Sequence, residues 1–289
     1  MFLRNLSDYT IIKSLSILNY VRPFNTVAVL MYHNVTDALQ PSYRSIRVKD
    51  FRDQMRYLKK ECEVLAIEDL ISMYRSGNVI DKSRKPRVVI TMDDGYRDNY
   101  THAFPVLKEF GLPATLFIVT DDIHWSMNAD EGPKRTHLSL REMKEMHKHG
   151  ITFCSHTQSH PDLSRIEYEE QKKQILNGMR QLYDCFPDPE VLQAFAYPFG
   201  EYNYFTLEIL KELKFKVGLT VWHDLNGQFE DPLRLKRLTG DGRNSIVKFA
   251  GQLNPYVFNL YKRFTMRAHI RRPLRNVPFP HLDPYAFEI

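Results

Sequence analysis

Short apolar runs recur along the chain and are almost unbroken by polar residues. Runs of this kind are typical of strands that are buried on both faces of a sheet. Between them, apolar residues fall at helical spacing, as at Phe51, Met55 and Leu58. The predicted strands are 26–33, 87–94, 114–120, 151–156, 193–197 and 216–221. The predicted helices are 48–60, 99–110, 139–150 with a capping box at Ser139 and Glu142, 166–183 and 204–213.

This alternation of strands and helices predicts parallel strands joined by helical crossovers, in an α/β barrel or an open sheet. A chain of 289 residues is long enough for one sizeable core. We expect one main domain over residues 24–250. It is preceded by a segment, 1–23, that could form an amphipathic helix, and followed by a basic C-terminal extension, 251–289.

Composition excludes several classes of protein. With 43% hydrophobic and 26% charged residues, the chain is neither collagen-like nor mostly disordered. The three cysteines are an odd number without CxxC spacing, which argues against a disulfide framework. The sequence has no apolar stretch long enough to span a membrane and no pattern of a secretory signal. We therefore expect a cytoplasmic location.

Much of the net charge of +5 lies in one basic run between Tyr261 and Arg275, which contains no acidic residue. The run is either a solvated face or a contact with phosphate on an anionic lipid or a substrate. No nucleic-acid-binding motif accompanies it, so no nucleic-acid partner is expected. Peripheral contact with the inner face of an anionic membrane is left open.

Two adjacent carboxylates, Asp93 and Asp94, end the strand 87–94. Active sites of α/β folds lie at this end of their strands. Gly95 permits a sharp turn that would bring both carboxylates to one pocket. The alternative is that the Asp-Asp-Gly sequence only starts a turn and caps a helix.

Two histidines, His156 and His160, follow the strand 151–156. Their i, i+4 spacing predicts that they lie on one side of a helical turn and offer two imidazole nitrogens to one metal ion. With one of the preceding carboxylates they would make a three-ligand site that leaves a position for water, as catalytic metal sites do. The second carboxylate would then be available as a general base.

A third candidate, Tyr197-Pro198-Phe199-Gly200, follows the strand 193–197. It is either a plain turn or a turn that points the backbone N–H of Phe199 at an oxyanion. In the second case Phe199 and Tyr197 are candidate residues of the substrate groove or the oxyanion site. Trp222 is a candidate for lining a sugar groove or for packing in the core.

The segments TMDDGY, SHTQSHPDL and FAYPFGEYN, in this order, resemble the first three motifs of the polysaccharide deacetylases of carbohydrate esterase family 4, the NodB homology domain. The resemblance covers about residues 24–245 and implies a distorted (β/α)7 barrel. It also implies a divalent metal, usually Zn²⁺, although Co²⁺, Ni²⁺ or Fe²⁺ also suits such a site. Transferred position by position, it makes Asp93 the general base. The metal ligands become Asp94, His156 and His160.

Two departures from the family pattern stand out. Ala196 occupies the position where the family commonly has an arginine that orients the base, and Arg237 could supply that guanidinium or be an ordinary surface residue. The C-terminal Leu-x-His motif, which usually carries the general acid, is absent. The segment VLMYHNV in the first strand instead resembles the circularly permuted branch that includes the poly-N-acetylglucosamine deacetylases. On that basis His33 is the candidate general acid, and His223 is its competitor.

The resemblance implies a hydrolase that uses metal-activated water to remove an N-acetyl or O-acetyl group from an amino sugar. The expected substrate is an acetylated amino sugar, a glycan or a lipid-linked sugar. Two alternatives are left open. One is a hydrolase of the same barrel that acts on a non-sugar amide, and the other is a glycan-binding protein that keeps the metal without turnover.

Overall fold

The computed structural model describes residues 24–75, 83–123, 136–187, 193–240, 242–260 and 262. The N-terminal segment 1–23 and nearly all of the basic run lie outside these residues, so the amphipathic helix, the membrane contact and the cytoplasmic location stay predictions. No helix in the described ranges combines the length and the apolar character needed to cross a bilayer. Lys262, the one described cation of the basic run, donates to Asp224 Oδ2 at 2.6 Å.

The centre of the fold is a sheet of parallel strands, and seven of them follow one hydrogen-bonded path in the described part of the chain. In chain order the strands are β1 (Val27–Tyr32), β2 (Asn34–Val35), β3 (Ser45–Ile46), β4 (Glu63–Leu65), β5 (Arg87–Asp94), β6 (Ala114–Ile118), β7 (Ile151–Ser155), β8 (Ala194–Ala196), β9 (Val217–Leu219) and β10 (Leu238–Thr239). The path runs β10-β1-β5-β6-β7-β8-β9, while β4 pairs with β5, and β2 with β3. Strands β1 and β5 are almost wholly buried, as their apolar runs predict.

One short segment, residues 235–239, connects the two ends of this path. Leu235 donates its N–H to Gly218 O at 2.9 Å, beside β9. Three residues later, Leu238 pairs with Leu30 of β1. The sheet therefore curls until its first and last strands share one segment, and the predicted distorted (β/α)7 barrel is confirmed.

The helices cover the outside of the barrel. They are α1 (Val48–Glu61), α2 (Ile67–Arg75), a π-helical turn (Asn99–Ala103) that leads into α3 (Phe104–Phe110), α4 (Leu140–His147), α5 (Tyr168–Tyr183), α6 (Tyr204–Glu212) and α7 (Ile246–Gln252). The predicted capping box of α4 is present at Ser139 and Glu142, but the helix ends at His147 instead of Gly150. Helices α2 and α7 were not predicted. Helix α7 spans residue 250, and Leu253 and Phe258 are buried in the main core, so that core continues past the predicted domain boundary.

Helix α5 approaches the loop after β7 closely, and Gly178 makes this possible. A Cβ atom at Gly178 would lie 2.7 Å from the carbonyl carbon of Thr157 and 2.8 Å from its oxygen. Both contacts are with backbone atoms, which cannot rotate away. Gly178 is therefore the contact point at which α5 supports this loop.

We expect Gly178→Ala to destabilise the protein by about 1–3 kcal/mol, because the added methyl group overpacks this contact. Gly251→Ala in α7 is the matched control, since its Cβ would meet Val257 Cγ1 at an ordinary 3.4 Å. Alanine is the better helix former, so the control should be neutral or stabilising by up to about 1 kcal/mol. Denaturant unfolding measures both variants. Equal free energies of unfolding would contradict the proposed role of Gly178.

Candidate metal centre and active site

The carboxyl ends of β5 and β7 bring the first two sequence motifs together. Strand β6 lies between these strands, and the register aligns Asp94 with Ile118 and Ile118 with Ser155. The backbone N–H of His156 donates to Ile118 O at 2.9 Å, which holds the start of the histidine loop against β6. The two motifs are about 60 residues apart in the sequence, and they share one edge of the barrel.

Three side-chain atoms converge at this edge. His156 Nε2 lies 3.6 Å from Asp94 Oδ1, and His160 Nε2 lies 3.5 Å from the same oxygen. The two histidine Nε2 atoms are 3.2 Å apart. Asp94 and His156 are buried, and His160 is partly exposed. This Asp-His-His cluster is the group that the sequence predicted as metal ligands.

The histidine pair does not lie on a helical turn, so that part of the sequence prediction is wrong. Residues 156–160 form an irregular loop, in which Thr157 and His160 have left-handed backbone angles, with φ of 70° and 59°. Thr157 Oγ1 accepts a hydrogen bond from the His160 N–H at 3.0 Å and stabilises this loop. Two left-handed residues, rather than helical periodicity, turn both imidazoles toward Asp94.

The donor set fits a divalent metal ion. Ligands at about 2.0–2.2 Å from a tetrahedral metal lie roughly 3.3–3.5 Å from one another, close to the separations in this cluster. His156 Nδ1 lies 2.8 Å from Ala196 O, which assigns the ring proton to Nδ1 and leaves the Nε2 lone pair facing the cluster. Burial, followed by the neighbouring His156, lowers the pKa of His160 to about 4, so its imidazole is neutral at neutral pH and able to bind a metal.

The second carboxylate, Asp93, is paired with a buried arginine. Arg237 Nη1 donates to Asp93 Oδ1 at 2.8 Å, and Nη2 lies 2.8 Å from Oδ2. Arg237 Nε donates to Thr220 O at 2.8 Å, so the guanidinium is fixed from both sides. Burial is the largest single influence and would raise the pKa of Asp93. The charge and hydrogen bond of Arg237, together with the nearby His156 and His33, outweigh it and hold this pKa at about 2. Of the two alternatives left open for Arg237, the surface residue is excluded, because the Arg237 side chain is fully buried and its guanidinium is paired with Asp93.

His33 lies at the end of β1, next to these carboxylates. The register pairs Tyr32 with Met92, so His33 comes level with Asp93 on the neighbouring strand. Burial lowers the pKa of His33, whereas Asp93 and then Asp94 act to raise it. The competing candidate, His223, is exposed, and its Nδ1 accepts a long hydrogen bond of 3.5 Å from the Thr239 N–H. The structure thus places His33 beside Asp93.

The third motif divides into an exposed and a buried part. Phe199 has a left-handed φ of 58°, is 58% exposed, and its ring contacts His160 with centroids 4.5 Å apart. Trp222 is 51% exposed and lies 6.3 Å from the Tyr202 ring. Tyr197 is fully buried and donates its hydroxyl to Leu233 O at 2.6 Å. Its assignment to the substrate groove is corrected, because its side chain is part of the core.

Sequence reasoning missed Arg44, which comes from the turn before β3. Its Nη2 lies 3.3 Å from Asp94 Oδ2, the carboxylate oxygen that faces away from the histidines, and 3.1 Å from the Tyr96 hydroxyl. The Arg44 side chain is 46% exposed, so a cation borders the metal cluster on its solvent side. Tyr96 is the last residue of the first motif and could have been suspected, but nothing near Arg44 in the sequence signals this contact.

The chain is similar to several known proteins in sequence and in fold. The profile of the family described as polysaccharide deacetylase matches residues 80–218. The Bacillus subtilis protein YxkH, which is named for the same family, is 31% identical over 197 residues, covering 66% of this chain and 63% of that protein. The chain thus spans slightly less than two thirds of the length of this relative. A poly-β-1,6-N-acetyl-D-glucosamine N-deacetylase of Staphylococcus epidermidis is 26% identical over 220 residues, covering 71% of each chain.

Among solved structures, the Streptococcus pyogenes deacetylase PplD, in complex with acetate, superposes with a TM-score of 0.69. It is 26% identical in sequence, and the match covers 81% of this chain and 100% of PplD. IcaB from Ammonifex degensii superposes with a TM-score of 0.67, and the match covers 80% of this chain and 98% of IcaB. Its sequence is 23% identical, so this similarity supports the fold alone.

We expect Asp94→Ala, His156→Ala and His160→Ala each to lower the affinity for Zn²⁺ by at least about 10-fold, because each removes one of three ligands. Asp93→Asn is the matched control, since it changes the neighbouring carboxylate, which is paired with Arg237 and is not one of the three clustered ligands. Calorimetric titration of metal-stripped protein measures all four. Unchanged affinity in two of the three alanine variants would refute the cluster as the metal site.

We expect Arg237→Met to destabilise the fold by about 3–5 kcal/mol, because it leaves the Asp93 carboxylate buried without a partner. The double variant Arg237→Met/Asp93→Leu should recover much of this loss, since neither charge is then left alone. Thermal unfolding of both variants is the measurement. A double variant as unstable as the single one would show that packing, and not the charge pair, is responsible.

The same pair gives the stability of the protein a defined dependence on pH. The pKa of Asp93 is about 2 in the folded protein, against about 3.9 for an unperturbed aspartate. A lowered carboxyl pKa stabilises the folded state fully above about pH 4, and this stabilisation is lost as the pH falls toward 2.

Proposed function

Because this chain carries a polysaccharide deacetylase domain, we propose that it is a metal-dependent hydrolase that removes the acetyl group from the nitrogen of an amino sugar. The observation that carries the proposal is the Asp94, His156 and His160 cluster next to an arginine-held carboxylate, Asp93. The Staphylococcus epidermidis relative, which is named for the N-deacetylation of a β-1,6-linked N-acetylglucosamine polymer, supports an acetylated glycan or glycan precursor as the substrate class.

The cluster of Asp94, His156 and His160 would hold the metal ion that acts as the Lewis acid in this reaction. Two imidazole nitrogens and one carboxylate oxygen suit Zn²⁺ best, and they also accept Co²⁺, Ni²⁺ or Fe²⁺. A divalent ion held there would polarise the acetyl carbonyl and acidify a water molecule. Asp94 would hold such an ion through Oδ1, the oxygen nearest the histidines, while Arg44 contacts its Oδ2 and so keeps the carboxylate from rotating.

Asp93 acts as the general base in the proposed reaction. With a pKa of about 2 it is ionised at neutral pH and able to take a proton from the attacking water. Arg237 occupies one direction at each carboxylate oxygen, and each oxygen keeps a further lone pair for that proton. A carboxyl group with so low a pKa also releases the proton that it has taken from water, so Asp93 returns to its ionised form before the next turnover.

His33 acts as the general acid that protonates the amine as the C–N bond breaks. Burial favours its neutral form, and the charges of Asp93 and Asp94 favour its protonated form. This balance suits a group that must gain a proton and then release it within one turnover.

An exposed aromatic ring next to the cluster favours a sugar over a small amide substrate. Phe199 contacts His160 directly and presents its ring to solvent. Aromatic faces exposed at a site offer apolar surface to the C–H groups of a pyranose ring, whereas a small amide would be served by a closed pocket.

Release of acetate tests the proposal. We expect the metal-loaded protein to release acetate from N-acetylglucosamine oligomers and Asp93→Asn to lose about 10²- to 10⁴-fold in kcat while it retains the metal. Release from small non-sugar amides only would support the alternative amide hydrolase. Metal binding without acetate release from any acetylated sugar would support a binding protein and refute the proposed reaction.

We expect His33→Ala to slow the hydrolysis of an amide far more than that of an activated acetate ester, whose leaving group needs no proton. The parallel variant His223→Ala should leave both rates close to those of the wild type. Steady-state kinetics on the two substrates make the comparison. Equal losses for His33→Ala on amide and ester would mean that His33 is not the acid.

A further inference from the structure

The π-helical turn Asn99–Ala103 holds the piece of backbone that carries His33. Asn99 Nδ2 donates to the backbone oxygen of His33 at 2.7 Å. One turn further, His102 Nδ1 lies 2.8 Å from the backbone oxygen of Val35. Two side chains of one turn thus bind the carbonyl groups on both sides of Asn34. We call this pair of contacts the carbonyl clamp.

Asn99 is fixed in its own orientation. Its side chain is fully buried, and its amide nitrogen also donates to Asp98 Oδ1 at 3.0 Å, so both N–H bonds are used. The Asn99 backbone N–H donates to Tyr96 O at 3.1 Å, inside the short link that follows Asp94. The clamp therefore ties the strand that carries His33 to the strand that carries both carboxylates.

The ring of His33 lacks the usual means of orientation. A catalytic histidine is normally held by a hydrogen bond from one ring nitrogen to a carboxylate or a carbonyl group. His33 Nδ1 is buried and has no hydrogen-bond partner among the described residues. The direction of this imidazole is consequently set by its backbone, and Asn99 is the side chain that binds that backbone at His33 itself.

We propose that Asn99 is a positioning residue for deacetylation, which holds the His33 backbone so that the imidazole meets the leaving amine. The inference rests on the proposed function, since it gives Asn99 a role only through the acid role of His33. It predicts that loss of the Asn99 donor affects the step that needs a proton, and not hydrolysis in general.

Asn99→Asp is the variant that tests this inference, with Asn99→Ala as its uncharged counterpart. Both remove the N–H donor to His33. Gln171→Glu is the matched control, because Gln171 is also a fully buried amide that donates to a backbone oxygen, that of Ile166 at 2.9 Å. Each purified, zinc-loaded variant is compared with the wild type on the amide and on the activated ester, and its melting temperature and zinc affinity are recorded.

We expect the Asn99 variants to lose about 10- to 100-fold in kcat on the amide and much less on the ester, the range seen when a supporting contact of a site is removed. Gln171→Glu should keep the wild-type ratio of amide to ester rates whatever its stability. Combining Asn99→Asp with His33→Ala should give no further loss on the amide, because Asn99 acts through His33.

Equal losses on amide and ester in both Asn99 variants would overturn the inference, as would an additional loss in the double variant. If His33→Ala shows no preference between the substrates, the acid role of His33 fails and the inference falls with it. If His33→Ala is selective and the Asn99 variants are not, the inference alone is wrong and the proposed function stands.

Discussion

The buried pair of Asp93 and Arg237 is the interaction on which the rest of the site depends. Asp93 lies at the end of the central strand β5, where an unpaired carboxylate would be strongly destabilising. Arg237 comes from the segment that joins the two ends of the sheet path, so closure of the barrel and neutralisation of Asp93 occur in one place. Asp93 is paired with Arg237, and Asp94 is the carboxylate that faces His156 and His160.

Left-handed backbone angles are concentrated at the carboxyl edge of the barrel, where this pair lies. Of the non-glycine residues with positive φ in the described ranges, all except Lys214 lie at the carboxyl edge of the barrel: Asp94, Thr157, His160 and Phe199. Such conformations cost about 1–3 kcal/mol each and persist only where the surrounding structure enforces them. The hydrogen bond from the His160 N–H to Thr157 Oγ1 and the support of α5 at Gly178 are two of the contacts that do so here. Ligand geometry is thus stabilised by the remainder of the fold.

The strands and the ligand residues could be predicted because their signals are local: apolar runs for β1, β5 and β7, and polar motifs directly after them. Arg237 was also within reach, since this chain has Ala196 where the family pattern commonly has an arginine that orients the base. The histidine loop was predicted as helical because spacing alone cannot reveal the left-handed angles at Thr157 and His160. Arg44 and Asn99 were missed for a different reason. Their partners, Asp94 and the His33 carbonyl, are 50 and 66 positions away, and neither residue stands in a pattern that marks it.

The sequence distance between Asp93 and Arg237 also bears on how the protein is made. The two residues are 144 positions apart, and Arg237 lies in the final strand segment of the sheet path. A nascent chain that has left the ribosome only as far as β9 already contains Asp93 and the cluster of Asp94, His156 and His160, but it has no counterion for the Asp93 carboxylate. Until Arg237 has been synthesised, burial of β5 would leave that charge unpaired, which is strongly destabilising. The buried environment of β5 can therefore be completed only after the last strand segment of the sheet path has been made.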